Sequence, residues 1–145
     1  MKYDIKDELN NQYKGFYVWN KPAFFINHDD ERFKEFTTFK NKHGFTPDET
    51  WSLRTNIALF ILPRLKYFKK VTICYPANLK NIKEWHKILD KMIFSFQQAL
   101  KDEFVIPKKY LKKYKYDNEK ASKALNKDIQ EGMELFAEYF FKLWW

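Results

Sequence analysis

Apolar positions return at helical spacing in four stretches of the chain. The cleanest runs through "NIKEWHKILDKMIFSFQQALKDE", where Trp85, Ile88, Leu89, Met92, Ile93, Phe96 and Leu100 share one face. Asn81 with Glu84 three residues later resembles a capping box, which places the start of that helix. Phe94 lies off the stripe and is left for a second contact or for solvent. A final helix is expected from near Asn118 to the end, with Leu125, Ile129, Met133, Phe136, Phe140 and Leu143 on one face. Its last turns, "FAEYFFKLWW", are apolar nearly all round and are expected to dock against the domain or a sister subunit.

Earlier in the chain, Phe33, Phe36 and Phe39 at three-residue spacing predict a short helix ending near Gly44. Next, "PDETWSLRTNIALFILPRLKYFKK", Pro47 to Lys70, reads as one long helix capped by Asp48, Thr50 or Ser52. On a helical wheel Leu53, Ile57, Phe60, Ile61, Leu65 and Phe68 fall within about 140° of arc. Asn56, Pro63, Tyr67 and Lys70 fall opposite, so Pro63 is expected on the outer side, kinking the helix one turn earlier near Leu59. Leu59 and Leu62 widen the apolar surface almost to a full circle, as in a central, covered helix. Residues 15–27, "GFYVWNKPAFFIN", suggest short extended segments or irregular aromatic packing, and residues 1–14 are polar and expected to be loosely held. The fold expected is mostly α: a compact bundle of at least three long helices with a kinked central helix and an aromatic core, with a short extended N-terminal segment, as one domain over 1–145.

Charge changes this picture more than size does. The formal net charge is +8, from 27 Lys and Arg against 19 Asp and Glu, so the surface should attract phosphates or acidic protein faces. Only three of those cations are arginine, Arg32, Arg54 and Arg64. On the wheel Arg54 and Arg64 project into the apolar arc, where a guanidinium must be paired. Its partner is either a carboxylate, with Glu84, Asp90 and Glu134 as candidates, or a bound phosphate or carboxylate held bidentately. Two tracts, "RLKYFKK" (64–70) and "KKYLKKYK" (108–115), interleave cations with aromatic rings, the mixture that holds nucleotides by charge and stacking. Half-buried tyrosines among solvated lysines give the same pattern.

Other chemistry has few carriers. Cys74 is the single cysteine, set among apolar neighbours in "VTICYP" and expected to be a buried, inert thiol in a reducing compartment. His28, Asp29, Asp30 and Glu31 cluster as helix-capping residues do, and His43 and His86 have no His or Cys at ligand spacing, so no metal or cofactor is expected. Phosphate-loop, nucleophile-elbow and dinucleotide fingerprints are absent, as are zinc-finger, helix-turn-helix and basic-zipper patterns, so catalysis and duplex DNA reading are not expected. No apolar run approaches the ~20 residues of a membrane span. A cytoplasmic protein is expected.

"GFTPDETWSLRTNIALFILPRLKYFKK", "YP", "EWHKILDKMIFSFQ" and "EGMELFAEYFFKLWW" together resemble a family of small, largely uncharacterised proteins encoded by bacteriophages. The likeness covers about half the chain, and its pattern is carried by Asp48, Trp51, Pro63, Arg64, Leu65, Trp85, Asp90, Lys91 and Met92. Arg54 stands where that pattern has an acidic residue. The resemblance brings no activity with it; it implies a phage context. The leading expectation is a non-catalytic anti-defence protein, homo-oligomeric through its aromatic C-terminus, that sequesters a small anionic nucleotide. Arg54, Arg64, Lys66, Lys69 and Lys70 would neutralise phosphates, and Trp51, Tyr67 or Trp85 would stack. The alternatives are a module that binds a host or phage protein through Phe94, Phe141 and Trp144, and a nonspecific nucleic-acid binder.

Overall fold

The computed structural model describes residues 32–45, 47–50, 53–101 and 105–144. Among the described residues there are five α-helices, two 3-10 turns and no β-strand, so the chain is mostly α-helical as expected. The chain divides into two units, one ending at Phe60 and the other starting at Ile61. The expectations for residues 1–14, 15–27 and 28–31, for Trp51 and for a Ser52 cap lie outside the described residues.

In the first unit, α1 (Arg32–His43) stops where the sequence pattern puts it. Gly44 takes φ 82°, a left-handed conformation that carries little penalty for glycine, and its N–H bonds the Lys40 carbonyl at 2.7 Å. The Phe39 ring meets His43 at 4.3 Å and Phe45 at 5.5 Å. A 3-10 turn, Pro47–Thr50, then precedes α2 (Leu53–Val71). Asn56 Nδ2 donates to the Glu49 carbonyl at 2.6 Å and ties that turn to the helix. The single helix predicted from Pro47 is therefore two elements.

The residues that α2 buries overlap the predicted face only at Leu65. Before Ile61 the buried residues are Ala58 and Leu59, while Leu53 and Ile57 are exposed. From Ile61 onward Leu62, Pro63 and Leu65 are buried, while Arg64, Tyr67 and Lys70 are exposed. In both parts the buried arc is turned by about 140° from the predicted one. Pro63 is inside, and Arg54 and Arg64 are outside. A helix apolar almost all round gives its phase no contrast, and the large side chains at 53, 57 and 61 outweighed Ala58 in the pattern.

The second unit is built on α3 (Ile82–Ala99) and α5 (Asn118–Tyr139), which make the most extensive contact between elements. Asn81 caps α3 by accepting from Glu84 N–H at 3.0 Å, and Glu84 Oε2 accepts from Lys80 N–H at 2.8 Å, one residue before the Asn81 N–H that a full capping box would use. Trp85, Leu89, Met92, Ile93 and Phe96 are buried, as the stripe predicts. Trp85 packs at 6.4 Å from Phe68 of α2 and 5.3 Å from Tyr139 of α5, whose hydroxyl accepts from Asn78 Nδ2 at 2.9 Å. Pairings of Trp85 with Tyr139, Lys91 with Glu131 and Ser95 with Ile129 show α3 and α5 to be antiparallel.

Where they cross, both sequences turn small. Gly132 lies against Ser95 and the Lys91 carbonyl, and Ser95 Oγ donates across the interface to the Ile129 carbonyl at 2.7 Å. The buried positions of α5 are accordingly Ala121, Leu125, Gly132 and Tyr139. Met133 and Phe140, assigned to the core by the apolar stripe, are 41% and 52% exposed. The helix ends at Tyr139 and a 3-10 turn, Phe140–Lys142, follows.

Cys74 also departs from expectation. It is exposed, between Ile73 and Tyr75 that are exposed too, in a non-helical connection held by Thr72 Oγ1 donating to the Cys74 carbonyl at 3.0 Å. Apolar neighbours in sequence do not by themselves bury a thiol in a non-helical connection.

A Cβ at position 132 would fall inside contact distance of Ser95 Oγ and of the Lys91 carbonyl oxygen. The serine can rotate, whereas the helical carbonyl cannot. Gly132→Ala is therefore expected to cost about 1–3 kcal/mol in urea denaturation, and adding Ser95→Ala to restore only part of it.

Candidate functional site

Between α3 and α5 the chain forms a short helix, α4 (Lys108–Lys113), that starts after Pro107 at φ −58°. Its four lysines, Lys108, Lys109, Lys112 and Lys113, fall within about 140° of arc, with Tyr110, Leu111 and Tyr114 on the other side. The apolar side packs into a cluster with Ile106, Phe94 of α3, and Ala121, Ala124, Leu125 and Ile129 of α5. That cluster is the second contact for Phe94. All four lysines, and Lys115 after them, are exposed.

Two of the lysines rest on aromatic rings. Lys109 Nζ lies 4.4 Å from the Phe94 centroid and 4.8 Å from that of Tyr110, and Lys113 Nζ lies 5.5 Å from that of Tyr114. None of the five pairs with a carboxylate among the described residues. Four other lysines of this unit do: Lys69 with Asp90, Lys91 with Glu131, Lys120 with Asp117 and Lys123 with Glu119.

Tyr110 anchors α4 from beneath. Its side chain is buried and its hydroxyl donates to Asp128 Oδ2 of α5. Burial first, and then the bond and charge of Asp128, push the phenol above its usual range, so it stays a protonated donor. Beside it an open cleft of about 630 Å³ is lined by Lys113, Tyr114, Lys127, Asp128, Glu131 and Glu134, among others. Three carboxylates against two lysines do not favour an anion there.

The turn from α4 into α5 is strained. Lys115 and Tyr116 take φ 51° and 65°, left-handed values that cost non-glycine residues about 1–2 kcal/mol each. Tyr116 N–H bonding the Leu111 carbonyl at 2.7 Å holds the turn. Asp117 then caps α5, accepting from Lys120 N–H at 3.0 Å, a bond that keeps its carboxyl below the usual range. The outcome is a Tyr116 side chain that is 68% exposed.

The residues singled out from sequence are placed differently. Trp85 is 1% exposed and wedged between Phe68 and Tyr139, so it is a core residue and not a stacking platform. Lys69 is held by Asp90 at 2.6 Å. Of the carboxylates considered for Arg64, Asp90 takes Lys69, Glu84 closes the start of α3, and Glu134 accepts from Gln130 at 3.0 Å. Arg64, Tyr67 and Lys70 share one exposed line of α2, with Lys66 half-buried beside it; Arg64, Lys66 and Tyr67 have partners of their own. Arg54 is exposed and belongs to the first unit, and Trp51 is outside the described residues. The α4 lysine face was missed as a face. Its signal was the Lys-Lys-x-x-Lys-Lys spacing within "KKYLKKYK".

Compared with protein-family models, curated proteins and solved structures, the chain matches none. Among the described residues no helix is long and apolar enough to cross a membrane, and no group of three His, Cys, Asp or Glu is placed to hold a metal ion.

Because the folded chain keeps the Tyr110 proton after an unfolded tyrosine would lose it, stability is expected to fall as pH rises past tyrosine's ordinary 10.0. Tyr110→Phe should lose about 1 kcal/mol at neutral pH, since the exposed Asp128 is rehydrated, and should flatten that alkaline fall. Urea denaturation from pH 7 to 11 measures both.

Proposed function

We propose that this protein is a binding protein, not a catalyst, and that it engages a phosphate-bearing polymer, nucleic acid in the first place, through the lysine face of α4. The observation that carries the reading is a two-turn arc of four exposed lysines with no carboxylate partner among the described residues. Lys69, Lys91, Lys120 and Lys123 of the same unit are neutralised internally, whereas these four lie together on one short helix and keep their charge for an outside partner. Contact with a row of phosphates releases condensed counterions, and that release drives the binding. The net charge of +8 adds long-range attraction.

A narrower function, sequestering a small nucleotide as an anti-defence factor would, needs cations converging on a pocket. The exposed line of Arg64 and Lys70 on α2 is its best support in the second unit. A protein partner is favoured by a different observation, Phe141 and Trp144 at 84% and 70% exposure beside Phe140.

The test is fluorescence anisotropy with a labelled oligothymidylate across a salt series. With five lysines engaged, log affinity should fall with log salt at a slope of about −3 to −4, roughly a hundredfold loss between ~50 and ~200 mM. Replacing Lys108, Lys109, Lys112 and Lys113 by Gln leaves Lys115 alone and should bring the slope to about −0.7 while leaving the fold intact. An unchanged slope in that variant would assign binding to another surface.

A further inference from the structure

We infer that the α4 face is specific for single-stranded nucleic acid over duplex, and that Tyr116 is the residue that discriminates; this rests on the polymer-binding reading above. The lysine arc alone would serve either form, because both present rows of phosphates. What separates them is access to the flat faces of the bases. In a duplex those faces are stacked inside, whereas a single strand offers each one to an aromatic ring.

Tyr116 is a large ring left 68% exposed directly after Lys115, at the end of the lysine helix. Two features make this more than a stray surface aromatic. The backbone holds Lys115 and Tyr116 in consecutive left-handed conformations, φ 51° and 65°, which glycine or asparagine would adopt more easily. The turn is also fixed from both sides, by Tyr116 N–H on the Leu111 carbonyl at 2.7 Å and Asp117 N–H on the Tyr114 carbonyl at 3.0 Å. Tyr110 and Tyr114, by contrast, face the α5 side, where Tyr110 is buried and Tyr114 half-buried in the cluster. An exposed ring on a fixed turn that directly follows the lysine helix, its backbone bonded to the Leu111 carbonyl, suits a stacking platform at the end of a phosphate track.

The experiment compares a labelled oligothymidylate of about 15 nucleotides, its duplex with oligodeoxyadenylate, and phosphatidylserine vesicles, at one salt concentration. Single-strand affinity should exceed duplex affinity. Tyr116→Gly should cut single-strand affinity about five- to fifty-fold, leave duplex affinity unchanged, and raise the melting temperature because glycine suits the left-handed turn. Tyr116→Phe should keep the preference. Equal affinity for the two forms, or a preference surviving in Tyr116→Gly, overturns this inference and leaves the polymer-binding reading standing. Binding to vesicles with none to either oligonucleotide overturns both.

Discussion

The close approach of α3 and α5 at Ser95 and Gly132 is the constraint on which the second unit depends. Only glycine at 132 leaves room for the Lys91 carbonyl, and the Ser95 hydroxyl bonds the Ile129 carbonyl across the gap. With the helices that close, their register has little freedom, because a shift along either axis would bring a larger side chain to the crossing. That register puts Tyr139 on Trp85 toward one end and leaves Asp128 on the side of α5 that faces α4. The Tyr110–Asp128 bond then fixes a helix of six residues, far too short to be stable by itself.

From that anchoring follows the electrostatic asymmetry of the unit. Once Tyr110, Leu111 and Tyr114 are committed to the α5 side, the Lys-Lys-x-x-Lys-Lys spacing sends every lysine of α4 to solvent. No acidic residue lies between Val105 and Tyr116 to offset them. Three carboxylates of α5 that line the cleft beside Lys113 bond other groups: Glu131 bonds Lys91, Glu134 bonds Gln130, and Asp128 bonds Tyr110. Like charges so close repel one another, a cost that a polyanion relieves.

The sequence revealed elements better than faces. The Asn81 cap, the Trp85-to-Phe96 stripe, the Gly44 stop and the start near Asn118 were legible because each rests on local chemistry: a side-chain cap, a left-handed glycine, a stripe with polar contrast. The orientation of α2 was not, since apolar residues surround it and burial there is decided by tertiary partners. For α5 the error has another source. Its contact face is drawn by Ala121 and Gly132, which a count of large apolar residues passes over, so Met133 and Phe140 were assigned inward. The candidate site follows the same physics. Arginines and tryptophans carry the stronger chemical signal and point to Arg64 and Trp85, while the lysine face of α4 emerges only once Tyr110 and Tyr114 pack inward.

The proposed function requires the partner to dock on α4 and its following turn. An amide chemical-shift titration with unlabelled oligothymidylate at low salt tests it most directly. Shifts are expected to concentrate at residues 108–116, with Arg64 to Lys70 of α2 and Phe140 to Trp144 left in place. Shifts centred on either of those two segments, or none at saturating oligonucleotide, would contradict it.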